Sequence, residues 1–179
     1  GYLALMALFG FAPESIRYYA LILNLVVSAI AFISYARAGY FRHRLAIPFL
    51  ITSMPAAYLG AQISINPTLY KIILGIMLLI AVLRMLMVGN NDNKETRNPP
   101  FAIALGIGLL LGLVSGIIGI GGGILLSPLL ILARYARIKE ASAAAALFIF
   151  LNSASGLAGL MTTKFTFQPE IIYWIMGVV

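Results

Sequence analysis

The sequence predicts an all-α fold: a polytopic bundle of membrane-spanning helices. Three observations predict it. Of the 179 residues, 62% are hydrophobic and only 9% charged, where a soluble domain carries roughly 25% charged residues. No charge falls between Arg17 and Arg37, Arg44 and Lys71, Arg97 and Arg134, or Glu140 and Lys164, and each gap reaches the ~20 residues that a helix needs to cross ~30 Å of hydrocarbon. These runs are continuous Leu, Ile and Ala, unlike the alternating ~10-residue strands of a barrel. Amides in lipid must bond within their own segment, so the runs are helices.

In chain order, the stretches 1–13 and 171–179 are too short to span and read as helices cut at the two ends. The first full span is 18–36, followed by a basic loop at 37–44. The next run, 45–70, carries Pro48, Pro55 and Pro67, which membrane helices tolerate with some kinking. Lys71 opens a third span that reaches about residue 88. The clearly solvated stretch is 89–100, with Asn90, Asn91, Asp92, Lys94, Glu95 and Arg97. It divides the chain into a first half, 1–90, a linker, 91–100, and a second half, 101–179.

The run that follows is informative through its length. Uncharged from residue 98 to 133, it would measure about 54 Å as one straight helix. That is too long for one crossing and too short for two. The sequence Gly119-Ile120-Gly121-Gly122-Gly123, with Pro128 soon after, marks a break between a span and a shorter helix that begins at Gly123 or Ile124. A further span is expected over 141–163.

Orientation follows from the lysines and arginines. If the Gly-broken segment is a hairpin returning to the side it left, nine of the 12 Lys and Arg share one side, and Arg17, Lys71 and Lys164 take the other. If it crosses once, the split is seven to five. The hairpin has the stronger bias and places the loops at 37–44, 90–100 and 134–139 together in the cytoplasm. A faint repeat agrees with it. A piece ending near Glu14 precedes a span with Leu23-Asn24 and Ser28, and a piece ending near Glu140 precedes a span with Leu151-Asn152 and Ser155. Two similar units of opposite orientation make an inverted-repeat transporter, with a re-entrant or discontinuous helix at the glycines.

The net charge of +7 sits in short clusters between apolar runs, as in inside-facing loops, and points to no nucleic acid. Cysteine is absent, which removes disulfides, thiolate metal sites and a cysteine nucleophile. The glycine run ends Gly-Ile-Leu, without the Gly-Lys-Ser/Thr of a phosphate-binding loop. It also lacks the strand and acidic residue of a dinucleotide fingerprint. All five acidic residues lie in loops or at span ends, so no carboxylate relay crosses the membrane here. No catalytic set, metal site or cofactor is expected, and the chain is not read as an enzyme.

The run Gly116-Ile117-Ile118-Gly119-Ile120-Gly121-Gly122-Gly123-Ile124-Leu125-Leu126-Ser127-Pro128-Leu129-Leu130 resembles the signature of the sulfite exporter TauE/SafE family of membrane transporters. Asn152-Ser153 fits the Asn-Ser expected in the following helix. Tyr35-Ala36-Arg37-Ala38-Gly39, Pro55, Leu59-Gly60-Ala61 and Ala81-Val82-Leu83-Arg84 carry the likeness into the first half. The family's first Gly-rich motif would lie before Gly1. The resemblance implies a multi-pass transporter of the cell (inner) membrane that moves a small anion, typically sulfite or a sulfonated organic acid.

The residues themselves suggest where. Successive glycines let a backbone unwind inside a membrane where it lines a cavity or is buried in protein. The helix after the break would aim free N–H groups and a positive dipole end into it, which suits an anion; a tight turn packed on a neighbour is the alternative. The substrate-binding candidates are Gly119, Gly121, Gly122, Gly123, Ser127 and Asn152, with Ser155, Asn24 and Ser28, and Asn24 and Asn152 are expected to line one central cavity. Interhelical bonding is the alternative for those polar groups. No lysine or arginine lies at that depth of the sequence, so amides are expected to carry the recognition. Gly108, Gly112 and Gly116, and Ser155 with Gly159, recur every fourth residue and are assigned to close helix packing. Arg84 is expected to snorkel to the inner interface, and His43 to be solvated. The function expected is export of a small anion through a lipid bilayer by a chain that could form a homo-oligomer. The competing readings are uptake of another small organic anion and a non-transporting assembly or anchor subunit.

Overall fold

The computed structural model describes residues 13–63, 66–87, 96–97 and 99–162. Every regular element among them is a helix: α1 Pro13–Arg37, α2 His43–Gln62, α3 Pro67–Met87, α4 Phe101–Ile118, α5 Gly123–Leu132 and α6 Ile138–Thr162. Of these, α1, α2, α4 and α6 are each long and apolar enough to cross a membrane. The expected end segments, Lys94, Lys164 and the side chain of Arg84 lie outside the described residues. His43 opens α2 and is exposed.

The run 45–70 is not one helix. It stops at Gln62, and α3 begins at Pro67, four residues before the Lys71 start expected from charge. Local chemistry explains the division. The Asn66 side chain accepts from the Thr68 N–H at 2.9 Å, a helix N-cap, and Pro67 occupies the first helical position, where its missing N–H costs nothing. Pro48 and Pro55 remain inside an unbroken α2.

Close approach of backbones sets the architecture. A Cβ on Gly108, Gly112 or Gly116 of α4 would overlap the carbonyl oxygens of Phe49, Ser53 or Ala57 on α2. These pairs ascend together, so α2 and α4 are parallel. Met54 with Ser155, Tyr58 with Gly159, and Gln62 with Thr162 make α2 parallel to α6 as well. The glycine positions assigned to packing in the sequence are therefore helix contacts. Large apolar side chains such as Ile30, Ile51, Leu59 and Leu110 point outward, as they do where the surroundings are lipid and small residues bring the helices together.

Helix α1 runs antiparallel to α6. Leu21 meets Gly156, and Tyr40, just after α1, meets Lys139 at the start of α6. Since α4 and α6 point the same way, the chain between them must return, and it does. The Arg97 N–H before α4 donates to the Arg134 carbonyl after α5 at 2.8 Å. Arg42 contacts Thr96 and pairs with Glu140 at 3.2 Å. The loops near residues 40, 97 and 137 thus share one end of the bundle, and the cations Arg37, Arg42, Arg44, Arg97, Arg134, Arg137 and Lys139 gather there.

Candidate functional site

The break between α4 and α5 is built by conformations that only glycine adopts freely. Gly119, Gly121 and Gly122 have φ of +82°, +76° and +70°, in the left-handed region. The turn folds back on α4 and presses against the middle of α6. A Cβ on Gly122 would lie 2.8 Å from Phe148 Cε1 and 3.3 Å from the Leu111 carbonyl oxygen. One on Gly121 would lie 2.7 Å from Ile149 Cγ2 and 3.1 Å from Ser153 Oγ. The ten residues of α5 span about 15 Å, half of a hydrocarbon core of ~30 Å, and they end among the basic loops. Its first turn therefore lies deep in the bundle.

Four carbonyls of the break are occupied. Gly116 O accepts from Arg17 Nη2 at 3.1 Å, Ile118 O from Tyr70 Oη at 3.1 Å, and Gly119 O from Asn24 Nδ2 at 3.3 Å. Gly122 O accepts the Leu125 and Leu126 N–H groups. The N–H side is open: the N–H groups of Ile120, Gly121, Gly122, Gly123 and Ile124 donate to nothing among the described residues. Around them, Ser115 Oγ, Ser153 Oγ and both polar atoms of Asn152 are buried and without a hydrogen-bond partner. Buried polar groups are normally satisfied, and a cluster of orphans calls for a ligand or water.

Arg17 corrects the expectation that no cation lies near the glycines. Its side chain is 2% exposed. The guanidinium also reaches the carbonyls of Ala61 and Ile63 at the end of α2, and a Cβ on Gly119 would lie 3.0 Å from Arg17 Cα. Sequence reading placed Arg17 in an outer loop because it stands at the edge of its own span. Its partners lie 44 to 99 residues away, and only the sequence's Arg-Tyr-Tyr entering an apolar run hinted at it. Tyr70 was missed for the same reason.

A cleft of about 270 Å³ opens beside α5, between α1 and α6. Its walls include Asn24, Ser28 and Tyr35 from α1, Ser127 from α5, and Ser142 and Ile149 from α6. Ser28 donates to its own helix at the Asn24 carbonyl, and Ser142 to Ile138 O at 2.9 Å, so both hydroxyl oxygens keep acceptor capacity only. The candidates therefore divide. Asn24, Ser28 and Ser127 share the cleft, and Gly119, Gly121, Gly122 and Gly123 form the break next to it. Asn152 is wholly buried one turn beyond Phe148 and Ile149, on the helix face that packs the break, and it is not a wall of the cleft. The two asparagines do not meet in the walls of this cleft. Ser155 faces α2, donating to Met54 O at 2.6 Å, and joins neither group. Tyr35, Ser115, Ser142 and Ser153 are additions from the structure. The seven-residue spacing of Tyr35 from Ser28 and of Ser142 from Ile149, two helical turns each, and the four-residue spacing of Ser153 from Ile149 were available in the sequence. Among the described residues no cluster of His, Cys, Asp or Glu could hold a metal.

Comparison with known proteins agrees with this picture of a membrane protein. The family model for the sulfite exporter TauE/SafE matches residues 2–179. The chain is 31% identical to the probable membrane transporter protein y4hK of Sinorhizobium fredii, over 99% of its own length and 74% of that protein. It is 26% identical to the probable membrane transporter protein MJ0441 of Methanocaldococcus jannaschii, over 85% of its length and 59% of that protein. No solved structure matches. With a family model covering almost every residue, this multi-pass protein of the cell membrane belongs to the sulfite exporter TauE/SafE family of membrane transporters.

Proposed function

We propose that the protein is a secondary transporter that carries a small anion, sulfite or a sulfonate or a similar organic acid, outward across the cell membrane. The observation that carries this reading is the asymmetry of the break. Its carbonyls at Gly116, Ile118, Gly119 and Gly122 already accept hydrogen bonds, while five successive N–H groups remain open beside the orphan Ser115, Asn152 and Ser153. The run of open N–H groups outnumbers the carbonyls left open in the break, at Ile117, Ile120 and Gly121, so the surface favours anions over cations. The positive end of α5 adds roughly 0.3–1 kcal/mol, more where water is excluded. Gly119, Gly121, Gly122 and Gly123 supply the amides, with Ser127, Asn24 and Ser28 lining the approach through the cleft.

The basic end is assigned to the cytoplasm by the positive-inside rule. The walls of the cleft reach Tyr35 and Ser142 on that side of the break, which supports loading from inside and hence export. The halves 1–90 and 101–179, joined by the linker 91–100, are proposed as inverted repeats, with α4 and α5 as the re-entrant pair. The antiparallel course of α1 and α6 is what that symmetry requires.

Flux of a panel of anions in proteoliposomes containing the full-length protein tests the reading. Gly122→Val meets Phe148 and a left-handed φ, and should abolish flux while the protein still inserts. Asn152→Leu should weaken transport with less effect on folding. If both variants carry anions at the wild-type rate, the binding site lies elsewhere and the glycines form only a turn.

A further inference from the structure

The walls of the cleft continue beyond it as two side-chain stripes. On α1, Asn24, Ser28, Ala31 and Tyr35 follow one another at three- and four-residue spacing and so share a face. On α6, Lys139, Ser142, Ala146 and Ile149 do the same. The stripes meet at the basic end, where the Lys139 ammonium donates to Tyr40 Oη at 3.1 Å and stands 4.9 Å from the centre of its ring. A cation on an aromatic face thus bridges the ends of both walls, one helical turn beyond Ser142.

The electrostatics at this mouth favour an anion. None of the residues lining the cleft is charged, and its polar groups are hydroxyls and one carboxamide. The carboxylate next in sequence, Glu140, is already engaged. Its Oε2 accepts from Arg42 Nη1 at 3.2 Å and from the Arg137 N–H at 3.0 Å, and among the described residues the cations at this end outnumber it. A volume of about 270 Å³ far exceeds the ~30 Å³ that one water takes up, leaving room for a partly hydrated oxyanion. Ser142 and Ile149 are seven residues apart, about 10 Å along α6. The mouth and the break are therefore two places, not one.

We propose that Lys139, Tyr40, Tyr35 and Ser142 form a loading subsite at the mouth of the cleft. It takes a small oxyanion or sulfonate from the basic side and passes it by way of the Ser127 hydroxyl to the open amides. The subsite rests on the reading of the protein as an anion carrier, and its ligand is the same class of anion. Lys139 supplies attraction, and the Tyr35 and Tyr40 hydroxyls, which keep a proton to donate, replace part of the hydration shell. Ser142, whose proton is held by Ile138 O, only lines the way.

The absence of cysteine makes Ser142→Cys a unique probe in the full-length protein. Its rate of modification is measured with an anionic sulfonatoethyl methanethiosulfonate and a cationic trimethylammonioethyl one, each normalised to a free thiol. The anionic reagent should react faster by on the order of tenfold, as clefts of one charge sign do for counter-ions, and methanesulfonate should slow it. Adding Lys139→Gln should remove the preference, Lys139→Arg should restore it, and Arg134→Gln, at the same end but off the stripe, should leave it intact. Equal rates for the two reagents, or a preference indifferent to Lys139→Gln and Lys139→Arg, would overturn the subsite. Anion flux, measured separately, keeps the two ideas apart. A preference without flux supports the subsite and sinks the carrier, and flux without a preference does the reverse.

Discussion

A single methyl group tests the helix packing. Gly112 and Gly106 lie on α4 less than two turns apart, yet their surroundings are opposite. A Cβ on Gly112 would sit 2.6 Å from Ser53 Cα and 2.8 Å from Ser53 C, whereas one on Gly106 meets nothing within 4 Å. Carbon atoms prefer about 3.5–4.0 Å, so Gly112→Ala must push α2 and α4 apart by about 1 Å. The atoms displaced are backbone, which has no rotamer to change. A gap of that size forfeits a quarter to a half of each dispersion contact, and it would extend to Gly108 and Gly116 on the same face. Overpacking of this kind costs about 1–3 kcal/mol. It outweighs the gain of roughly 0.8–1 kcal/mol that alanine brings over glycine in a helix. Gly106→Ala has only the gain. Thermal unfolding of the purified variants in one detergent, with a denaturant titration for the free energies, should therefore move the two in opposite directions. Equal shifts, or a stabilised Gly112→Ala, would refute the parallel α2–α4 contact.

Other expectations follow from the same geometry. Cysteines placed singly at Arg37, Arg97 and Arg137 should resist an impermeant thiol reagent in intact cells and react in inside-out vesicles; labelling at 137 from outside would sink the hairpin. Arg42→Gln removes a part-exposed ion pair and should cost no more than about 1 kcal/mol, so a larger loss in the unfolding assay would mean that the pair anchors more than its own loop. Arg17→Met strands buried carbonyls at two helix ends, each worth about 1–3 kcal/mol. It should lower stability by several times the Arg42→Gln effect, with partial recovery in Arg17→Lys.

What the sequence made legible was local. Charge spacing located α1, α2, α4 and α6 because lipid forbids a charge in mid-span, whatever the fold. The four-residue glycine spacing found the α2–α4 face, and run length alone required the break, whose second helix starts at Gly123 as expected. The α2–α3 division is also local, but a proline in an apolar run fits a kink as well as a helix start, and only the Asn66 cap on the Thr68 N–H decides between them. The site was less legible, since its defining contacts join α4 to Arg17, Asn24 and Tyr70 across 48 to 99 residues. No periodicity records a guanidinium that reaches a distant helix end. Burial of Asn152 was equally silent, because a mid-span asparagine reads the same whether it faces a cavity or a sealed contact.

The hairpin creates an electrostatic difficulty that Arg17 resolves. Helix α4 runs away from the basic end and α5 runs back, so the negative end of one lies beside the positive end of the other. Alone, these ends would cancel, and an anion at the α5 amides would feel the carbonyls of α4 almost as strongly. The parallel α2 makes this worse by bringing a second negative end to the same level. Each helix terminus carries about half an elementary charge, so the two sum to about one negative charge. One guanidinium, bonded to Gly116 O on α4 and to Ala61 O and Ile63 O on α2, supplies the compensating positive charge where those poles converge. With them neutralised, the positive end of α5 acts on the proposed anion unopposed, and recognition by neutral amides becomes workable without a cation in direct contact. A site of that kind attracts without gripping. That suits a carrier, which must release on the far side what it has bound on the near one.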